Sequence, residues 1–155
     1  KAGSRIEVLE SYPEWCKVKF EDKEGYVYKS YLEKVLTDNK IVNDAMQFLG
    51  IIYNSPYYYE LDGKTYMVRL DCSGLTSHVC NVLNGMNIPR TSKDQSNCGT
   101  RIIFSELQPG DLVFFYSKCS HVGIYIGEGR FIQAENNGIP IRISSFYNDN
   151  IFYKD

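Results

Sequence analysis

Cys72 is the residue of this 155-residue chain whose type and position best suit covalent chemistry. Leu75 and Val79 follow it at helical spacing, so we expect a helix that begins between Asp71 and Ser73 and holds Cys72 in its first turn. The free N–H groups and the positive dipole end of such a turn favour a thiolate, the nucleophilic form of cysteine. The alternative is a small side chain buried at a helix start, which is a common environment for free cysteine.

His121 is the candidate base for this nucleophile. It opens a strictly alternating segment, with Gly123 on its own face and Val122 and Ile124 on the face that points into the core. A cysteine with a histidine is the minimal arrangement for acyl transfer through a thioester. The alternative is an ordinary surface histidine.

Gln133 is the candidate for a third group, which would hold the other ring nitrogen of His121. If the hairpin has an odd-length loop centred on Gly127, Gln133 lies opposite His121. A two-residue turn at 128–129 would instead place Ile124 opposite Gln133. Because Gln133 is polar on an otherwise apolar strand, we favour the interpretation that it has a partner.

The second histidine and the other cysteines are weaker candidates. His78 lies about 240° around the helix from Cys72 and points away from it. Cys80 lies deeper in the same helix and is expected in the core, while Cys119 shares the parity of His121 if that strand extends back. The remaining two, in the N-terminal strands and in a polar loop, are Cys16 and Cys98.

The cysteine pattern argues against a structural metal. The chain has five cysteines and two histidines without a Cys-x-x-Cys pair, so zinc-ligand spacing is absent and we expect no metal site. An odd count leaves at least one thiol unpaired in a monomer. If Cys72 is catalytic, the other four allow three pairings or none, and the sequence does not choose between them.

Composition narrows the function classes. Hydrophobic residues make up 43% and charged residues 23%, which is typical of a soluble globular protein. The net charge is −2 and no dense Lys/Arg cluster occurs, so we expect no nucleic-acid partner. No apolar run approaches the roughly 20 residues of a membrane span. The first residues also lack the apolar stretch of a signal peptide.

The elements that must position these residues are predicted from periodicity. We expect an N-terminal β-meander, a helix over about 41–49 with Gly50 as its stop, a Tyr-rich loop over 51–70, and a polar loop over 89–100. The pattern of the final third predicts antiparallel strands at 111–116, 121–126, 130–134 and 139–143. Helices followed by antiparallel strands predict an α+β fold, with a domain boundary near 33–38.

Four stretches of the chain, in this order, resemble the NlpC-type cell-wall peptidases, a papain-like family. They are Asp71-Cys72-Ser73-Gly74-Leu75, then Pro89-Arg90-Thr91-Ser92 with Gln95, then Leu107 to Phe115, and finally His121 to Gly127 with Phe131-Ile132-Gln133-Ala134. Several motifs in order are far more specific than any one alone. The N-terminal stretch is similar to the later strands of a bacterial SH3-like domain, whose first strands are missing here.

The resemblance implies a papain-like NlpC-type fold over 36–155, with N-terminal helices packed on an antiparallel sheet, preceded by a partial SH3-like β segment at 1–35. It implies that Cys72 attacks, that His121 is base and then acid, and that Gln133 orients the imidazole. Asp71 is expected to hold the free amine of the stem's L-Ala, assisted by Ser73. The other expected substrate-binding residues are Tyr53, Tyr57, Arg90 and Ser92. For most of the tyrosines before Asp71, the residues by themselves favour core or scattered surface over a groove wall.

The activity that the resemblance implies is cleavage of peptidoglycan stem peptides between D-γ-glutamate and a diamino acid, without metal or organic cofactor. We expect a monomer that is secreted or associated with the cell wall. Two alternatives stay open: an amidase that cuts between sugar and L-Ala, and a catalytically silent wall-binding module. The chain departs from the family in having no Gly-Gly after Tyr53 or Tyr57 and a long insert before Asp71.

Overall fold

Alternating residues near the N-terminus form a three-stranded antiparallel sheet with its second strand in the middle. The strands are β1 (Glu7–Ser11), β2 (Trp15–Phe20) and β3 (Lys23–Tyr28). Cys16 and Val18 on β2 are buried, whereas Trp15 on the same strand is exposed. The predicted β-meander is therefore confirmed for these residues.

The chain divides into two compact units, Lys1–Leu36 and Thr37–Asp155. The structure, a computed structural model, describes residues 6–29, 32 and 38–147. Three predicted features lie wholly or partly outside these residues: the boundary near 33–38, the first five residues of the β segment at 1–35, and the part of the second domain after 147. No helix in the described ranges combines the length and the apolar character needed to cross a membrane.

The second unit begins with α1 (Lys40–Met46), close to the predicted helix. Its N-cap is Asn39, whose side chain accepts a hydrogen bond from the Val42 N–H at 3.2 Å. The Asn39 amide also donates to the Pro109 carbonyl at 2.6 Å. Gly110 has a φ of +100°, and a Cβ there would lie 2.7 Å from the Asn39 amide nitrogen. This glycine lets the start of α1 pack against the turn that leads into the sheet.

The Tyr-rich stretch is a β-hairpin, so its prediction as a loop was wrong. Strands β4 (Tyr57–Leu61) and β5 (Lys64–Val68) pair antiparallel. The turn between them is Asp62-Gly63, with both φ values positive at 49° and 71°, as a tight two-residue hairpin requires. The Asp62-Gly63 pair between two Tyr-containing runs was the sequence signal for a hairpin.

The nucleophile helix is α2 (Cys72–Ser77), which starts within the predicted range from Asp71 to Ser73. It continues as a π-helical segment, His78–Leu83. It ends before Gly85, which has a φ of +64°, a conformation that favours glycine after a helix. His78 is buried, with its Nε2 2.6 Å from the Tyr59 hydroxyl. It therefore fixes the β4–β5 hairpin to this segment.

A short helix, α3 (Ser92–Gln95), interrupts the predicted polar loop. Thr91 caps it by accepting from the Asp94 N–H at 3.2 Å. Gln95 is buried, and its amide accepts from the Thr76 hydroxyl at 2.8 Å and donates to the Ser73 carbonyl at 3.1 Å. The loop is thus anchored to the nucleophile helix. A 3₁₀ turn at Phe104–Glu106 follows.

The last third forms a four-stranded antiparallel sheet in chain order. Its strands are β6 (Leu112–Phe115), β7 (His121–Gly127), β8 (Arg130–Gln133) and β9 (Arg142–Ser145). The final strand starts later than predicted, because Pro140 has no N–H for a ladder and makes only an isolated bridge with Ile52. All three helices contact β7, which confirms the α+β prediction of helices packed on an antiparallel sheet.

Both faces of this sheet are covered. Val122 and Ile124 are fully buried on one face of β7. The opposite face carries a second apolar cluster built on Val113, Phe115 and Phe131, with Tyr125 and Phe146 packed against it. His121 lies on this second face by strand alternation, at the end of β7, and its ring is 5.3 Å from that of Phe115.

Candidate active site

Cys72 is the first residue of α2, at a helix start that Asp71 caps. The Asp71 carboxylate accepts a hydrogen bond from the Gly74 N–H at 2.6 Å. The side chain of Cys72 is half-buried, and the backbone N–H groups of Val122 and Ser73 are directed at its sulfur. The contact with Val122 brings the thiol to the start of β7, beside His121.

The helix start does not by itself make Cys72 a thiolate, contrary to the expectation from sequence. Burial raises the pKa of the Cys72 thiol above its ordinary value, and this outweighs the N–H groups of Val122 and Ser73, which lower it. The nearby charge of Asp71 raises the pKa further. The resting residue is therefore a neutral thiol that needs a base when it attacks.

The β7–β8 hairpin has the two-residue turn at Glu128-Gly129, so the predicted odd-length loop was wrong. A β-bulge at Ile126 lies between the pairs Tyr125–Phe131 and Gly127–Arg130. The extra residue restores the parity that a two-residue turn would otherwise break. Ile124 consequently lies opposite Ile132, and the same register continued by one residue puts Gly123 opposite Gln133.

Gln133 reaches His121 diagonally across Gly123, which has no side chain to separate them. The Gln133 Oε1 lies 2.6 Å from the His121 Nε2. The Gln133 amide nitrogen donates to the Ser144 hydroxyl at 2.7 Å, and all three residues are buried. Since a carbonyl oxygen only accepts, the proton of the neutral imidazole sits on Nε2 and the lone pair on Nδ1.

The imidazole is poised as a neutral base. Burial lowers the pKa of His121, while the hydrogen bond to Gln133 and the charge of Glu135 raise it by less. The net pKa of His121 is below its ordinary value, so the ring is unprotonated at neutral pH. A neutral thiol beside a neutral imidazole with a free Nδ1 can exchange a proton as the sulfur attacks an acyl carbon.

A cleft of about 290 Å³ contains Cys72, His121 and Gln133 together. Tyr53 also lines it, as predicted for a substrate-binding position. Burial raises the pKa of Tyr53, and the charge of Asp71 adds to this, which shows that Tyr53 lies near the start of α2. The cleft is completed by Tyr116, Ser120, Glu135 and Asn136.

Sequence analysis did not identify these last four residues. Glu135 continues the alternation from Gln133, so parity was an available signal for it. Tyr116 and Ser120 belong to the turn before His121, where Tyr116 and Cys119 have positive φ values of 65° and 49°. That turn lies before the first residue of the strand, so the strand does not extend back to Cys119. Cys119 therefore does not share the face of His121 through strand alternation.

Asp71, Ser73 and Arg90 form a polar cluster on the thiol side of the site. The Arg90 guanidinium grips both Asp71 oxygens, with Nη1–Oδ1 at 3.0 Å and Nη2–Oδ2 at 2.8 Å, and it donates to the Ser73 hydroxyl at 3.0 Å. Burial by itself would raise the pKa of Asp71, but Arg90 and the Gly74 N–H outweigh it and the pKa is lowered. The carboxylate is thus charged and already paired.

Tyr57 and Ser92 were predicted to bind substrate, and the structure does not place them in the lining of the cleft. Tyr57 stacks on Tyr59 at 6.2 Å and meets Phe48 edge-on at 6.3 Å. Ser92 is buried in the first turn of α3. Both therefore have packing roles in this structure.

Neither disulfides nor metal ligands add to the site. All five cysteines lie in the described ranges and each is a free thiol. Burial raises the pKa of Cys80 to about 11, which makes it a poor nucleophile. Among the residues that the structure describes, no group of three His, Cys, Asp or Glu side chains is placed to hold a metal ion.

Comparison with known protein families gives two matches along the chain. Residues 55–154 match the family described as NlpC/P60. Residues 1–33 match the bacterial SH3 domain. The first match contains every element from the β4–β5 hairpin to β9, and hence all residues that line the cleft except Tyr53.

Curated relatives carry peptidase and hydrolase names. A probable endopeptidase of Corynebacterium glutamicum is 44% identical over 105 residues, which cover 68% of this chain and 46% of the relative. The gamma-DL-glutamyl hydrolase of Bacillus subtilis is 35% identical over 104 residues, covering 64% of this chain and 24% of that protein. The chain spans about half or less of the length of the curated relatives it matches.

A solved structure shares the arrangement of these elements. The NlpC/p60 domain of the peptidoglycan hydrolase SagA superposes with a TM-score of 0.57 at 30% identity, over 70% of this chain and 88% of the SagA domain. This likeness confirms the papain-like NlpC-type fold that the motifs predicted. With a sequence match over residues 55–154 and the same fold around the cleft, this chain belongs to the NlpC/P60 family.

Proposed function

We propose that this protein is a cysteine endopeptidase that cleaves peptidoglycan stem peptides at the bond between D-γ-glutamate and the diamino acid. The observation that carries the proposal is a half-buried thiol and a Gln133-anchored neutral imidazole in one open cleft. Cys72 is the nucleophile and His121 the base. The reaction needs no metal or organic cofactor.

In the first step the Cys72 sulfur attacks the γ-carbonyl carbon while its proton moves to the His121 Nδ1. The resulting oxyanion is stabilised by the Cys72 backbone N–H at the start of α2, which has no intrahelical acceptor. The C–N bond then breaks, and the imidazolium returns the proton to the departing amine. Water, deprotonated by His121, hydrolyses the thioester and restores the thiol.

Gln133 is a positioning residue in this mechanism. Its carbonyl oxygen holds the Nε2–H of His121 at 2.6 Å. That contact keeps the lone pair on Nδ1 and stabilises the imidazolium when it forms, because the hydrogen bond strengthens as the ring becomes charged. Ser144 in turn fixes the Gln133 amide at 2.7 Å, so the base is oriented by a buried chain.

The names of related proteins support the choice of substrate and bond. SagA is named a peptidoglycan hydrolase, and the B. subtilis relative a gamma-DL-glutamyl hydrolase. The first name specifies peptidoglycan and the second a γ-glutamyl bond, and the proposed substrate combines the two. We extend this to the place of action: the protein works at the cell wall, as a monomer, with residues 36–155 as the peptidase domain and 1–35 as a partial SH3-like segment.

The structure changes one argument against the amidase alternative. A free L-Ala amine recognised by Asp71 would favour a peptidase, because an amidase substrate has no such amine. Arg90 already occupies both Asp71 oxygens, at 3.0 and 2.8 Å, so an incoming amine must share or displace a strong ionic partner. Amine recognition by Asp71 stays a prediction, and the choice of bond is left to product analysis.

Digestion of purified muropeptides, with products identified by mass, tests the proposal. We expect products that end at D-γ-glutamate, and their complete loss in Cys72→Ala. Cys98→Ala is the matched control, because it removes an exposed thiol in the loop after α3 and should leave turnover intact. Release of whole stem peptides from sugar would instead establish an amidase. No product at any enzyme concentration would refute the proposal and favour a binding role.

A further inference from the structure

Two carboxylates flank the reacting pair, and each acts on a different member. Asp71 raises the pKa of the Cys72 thiol and of Tyr53. Glu135 raises the pKa of His121. Because such effects fall off with distance, Asp71 lies on the thiol side of the cleft and Glu135 on the imidazole side.

The chemistry assigns a part of the substrate to each side. The imidazole must return its proton to the departing amine, so the leaving group lies on the side of His121. In the proposed reaction that leaving group is the diamino acid. Its α-amine is released from the scissile bond, and its side chain ends in a second amine. The imidazole side of the cleft therefore meets a side chain that is cationic when this amine is free.

Glu135 is suited to that cation. Among the described residues that line the cleft, it is the only Asp, Glu, Lys or Arg side chain. Arg142 donates to its Oε2 at 2.6 Å, and the Glu135 side chain remains 37% exposed. A carboxylate has acceptor sites for about four hydrogen bonds, so one bond to Arg142 leaves capacity for a ligand ammonium.

The loop that carries Glu135 is locally ordered. The Ile139 N–H donates to the Asn136 carbonyl at 3.1 Å, which closes a turn directly after Glu135. Asn136 itself lines the cleft. The carboxylate thus lies between the buried strand end at Gln133 and a closed turn. Arg142 on β9 restrains it further by donating to its Oε2.

We propose that Glu135 binds the side-chain ammonium of the diamino acid in the leaving group, so that the enzyme prefers stem peptides in which this second amine is free. The proposal rests on the endopeptidase function above. Stems whose second amine is acylated in a cross-link present a neutral amide to Glu135, and they are poorer substrates.

The test compares two synthetic stem peptides, one with lysine and one with Nε-acetyl-lysine at the diamino acid position. Lysine is chosen because its side chain ends in an ammonium and nothing else. We expect kcat/KM to be about threefold to tenfold higher for lysine, the range of a partly exposed, charge-assisted contact. In Glu135→Gln this ratio should fall towards one, through loss of rate on the lysine substrate.

Glu128→Gln is the matched control. Glu128 is also a carboxylate held by an arginine, with Arg130 at 2.9 Å, but it lies in the β7–β8 turn and does not line the cleft. It should keep the wild-type ratio. Equal rates on both peptides, or a ratio unchanged in Glu135→Gln, would overturn this assignment while leaving the endopeptidase intact. Cleavage of neither peptide at the γ-glutamyl bond would remove the proposed function itself, and the assignment with it.

Discussion

Each side of the cleft has a carboxylate paired with an arginine, but the two pairs differ in how the arginine is bound. On the thiol side, Asp71 is joined to Arg90 through both oxygens and also caps α2. On the imidazole side, Glu135 is joined to Arg142 through one oxygen and sits in a loop. The Asp71 side chain is 30% exposed and that of Glu135 is 37% exposed. The two carboxylates therefore differ little in exposure, and they differ in the number of hydrogen bonds that they accept from arginine.

This difference indicates a division of labour. A carboxylate that caps a helix and accepts a bidentate arginine is part of the scaffold, because moving it breaks several contacts at once. A carboxylate with one arginine contact can accept a ligand without losing that contact. We infer that the thiol side positions the nucleophile. The imidazole side contains the buried Gln133, which orients the base, and the more available charge.

Gln133→Ala should give the largest effect of the changes that test this comparison. Without the amide the imidazole can rotate and change tautomer, so we expect kcat to fall roughly 10- to 100-fold. The hydrogen bond that His121 donates to Gln133 raises the pKa of His121, so its loss lowers that pKa. The acidic limb of the kcat/KM profile should therefore move to lower pH.

The pH profile separates positioning from a merely structural role. Gln133→Asn keeps an amide on a shorter side chain and serves as the partial-rescue variant. Circular dichroism checks that both variants fold. A Gln133→Ala enzyme with wild-type kcat, or one whose acidic limb stays in place, would show that the 2.6 Å contact is incidental to the chemistry.

How far the sequence predicts this region depends on which contacts are local. Cys72 at a capped helix start follows from Asp71 and the helical spacing of Leu75 and Val79, all within eight residues. The side-chain contact between His121 and Gln133 was also anticipated, although by the wrong register. The β-bulge at Ile126 that permits it depends on how the hairpin packs, and apolar alternation does not reveal it.

Contacts between distant segments were harder to predict. The ion pair between Arg90 and Asp71 joins residues that are 19 positions apart in the sequence, and no periodic pattern connects them. Because of this ion pair, the carboxylate that was predicted to bind an amine already has a charged partner. The raised pKa of Cys72 has the same origin, since burial against β7 outweighs the local effect of the helix start. By contrast, the β4–β5 hairpin had a local signal in Asp62-Gly63 between two Tyr-containing runs, and the prediction of a loop missed it.

A double-mutant cycle between Asp71 and Gly74 should break the scaffold on the thiol side. Asp71→Ala removes the cap and the ion pair, and we expect it to lower the free energy of unfolding by about 1 to 2 kcal/mol. A Cβ at Gly74 would lie 2.8 Å from the Asp71 Oδ1 and 3.3 Å from the Arg90 Nη2. Gly74→Ala therefore destabilises the wild type by displacing that pair.

In the Asp71→Ala background the same Gly74→Ala change should stabilise, by up to about 1 kcal/mol, because alanine favours helix and the opposing oxygen is gone. Urea unfolding of the four proteins measures the cycle. Since the pKa of Asp71 is lowered in the folded state, its share of stability is present above about pH 4 and is lost as the pH falls through the folded pKa. Additive effects of the two substitutions would refute the scaffold role.

Glu135→Gln should give the smallest effect, a shift in pH dependence on the imidazole side. Burial keeps the pKa of His121 below its ordinary value, and the charge of Glu135 raises it only in part. Removing that charge lowers the pKa further, so the acidic limb of kcat/KM should move to lower pH by a few tenths of a unit, the size of a partly exposed charge pair. Glu128→Gln, remote from the ring, should leave the limb unchanged. With the Nε-acetyl-lysine peptide as substrate the shift reports on His121 alone, and its absence would mean that Glu135 lies too far from the imidazole to meet the leaving group's side chain.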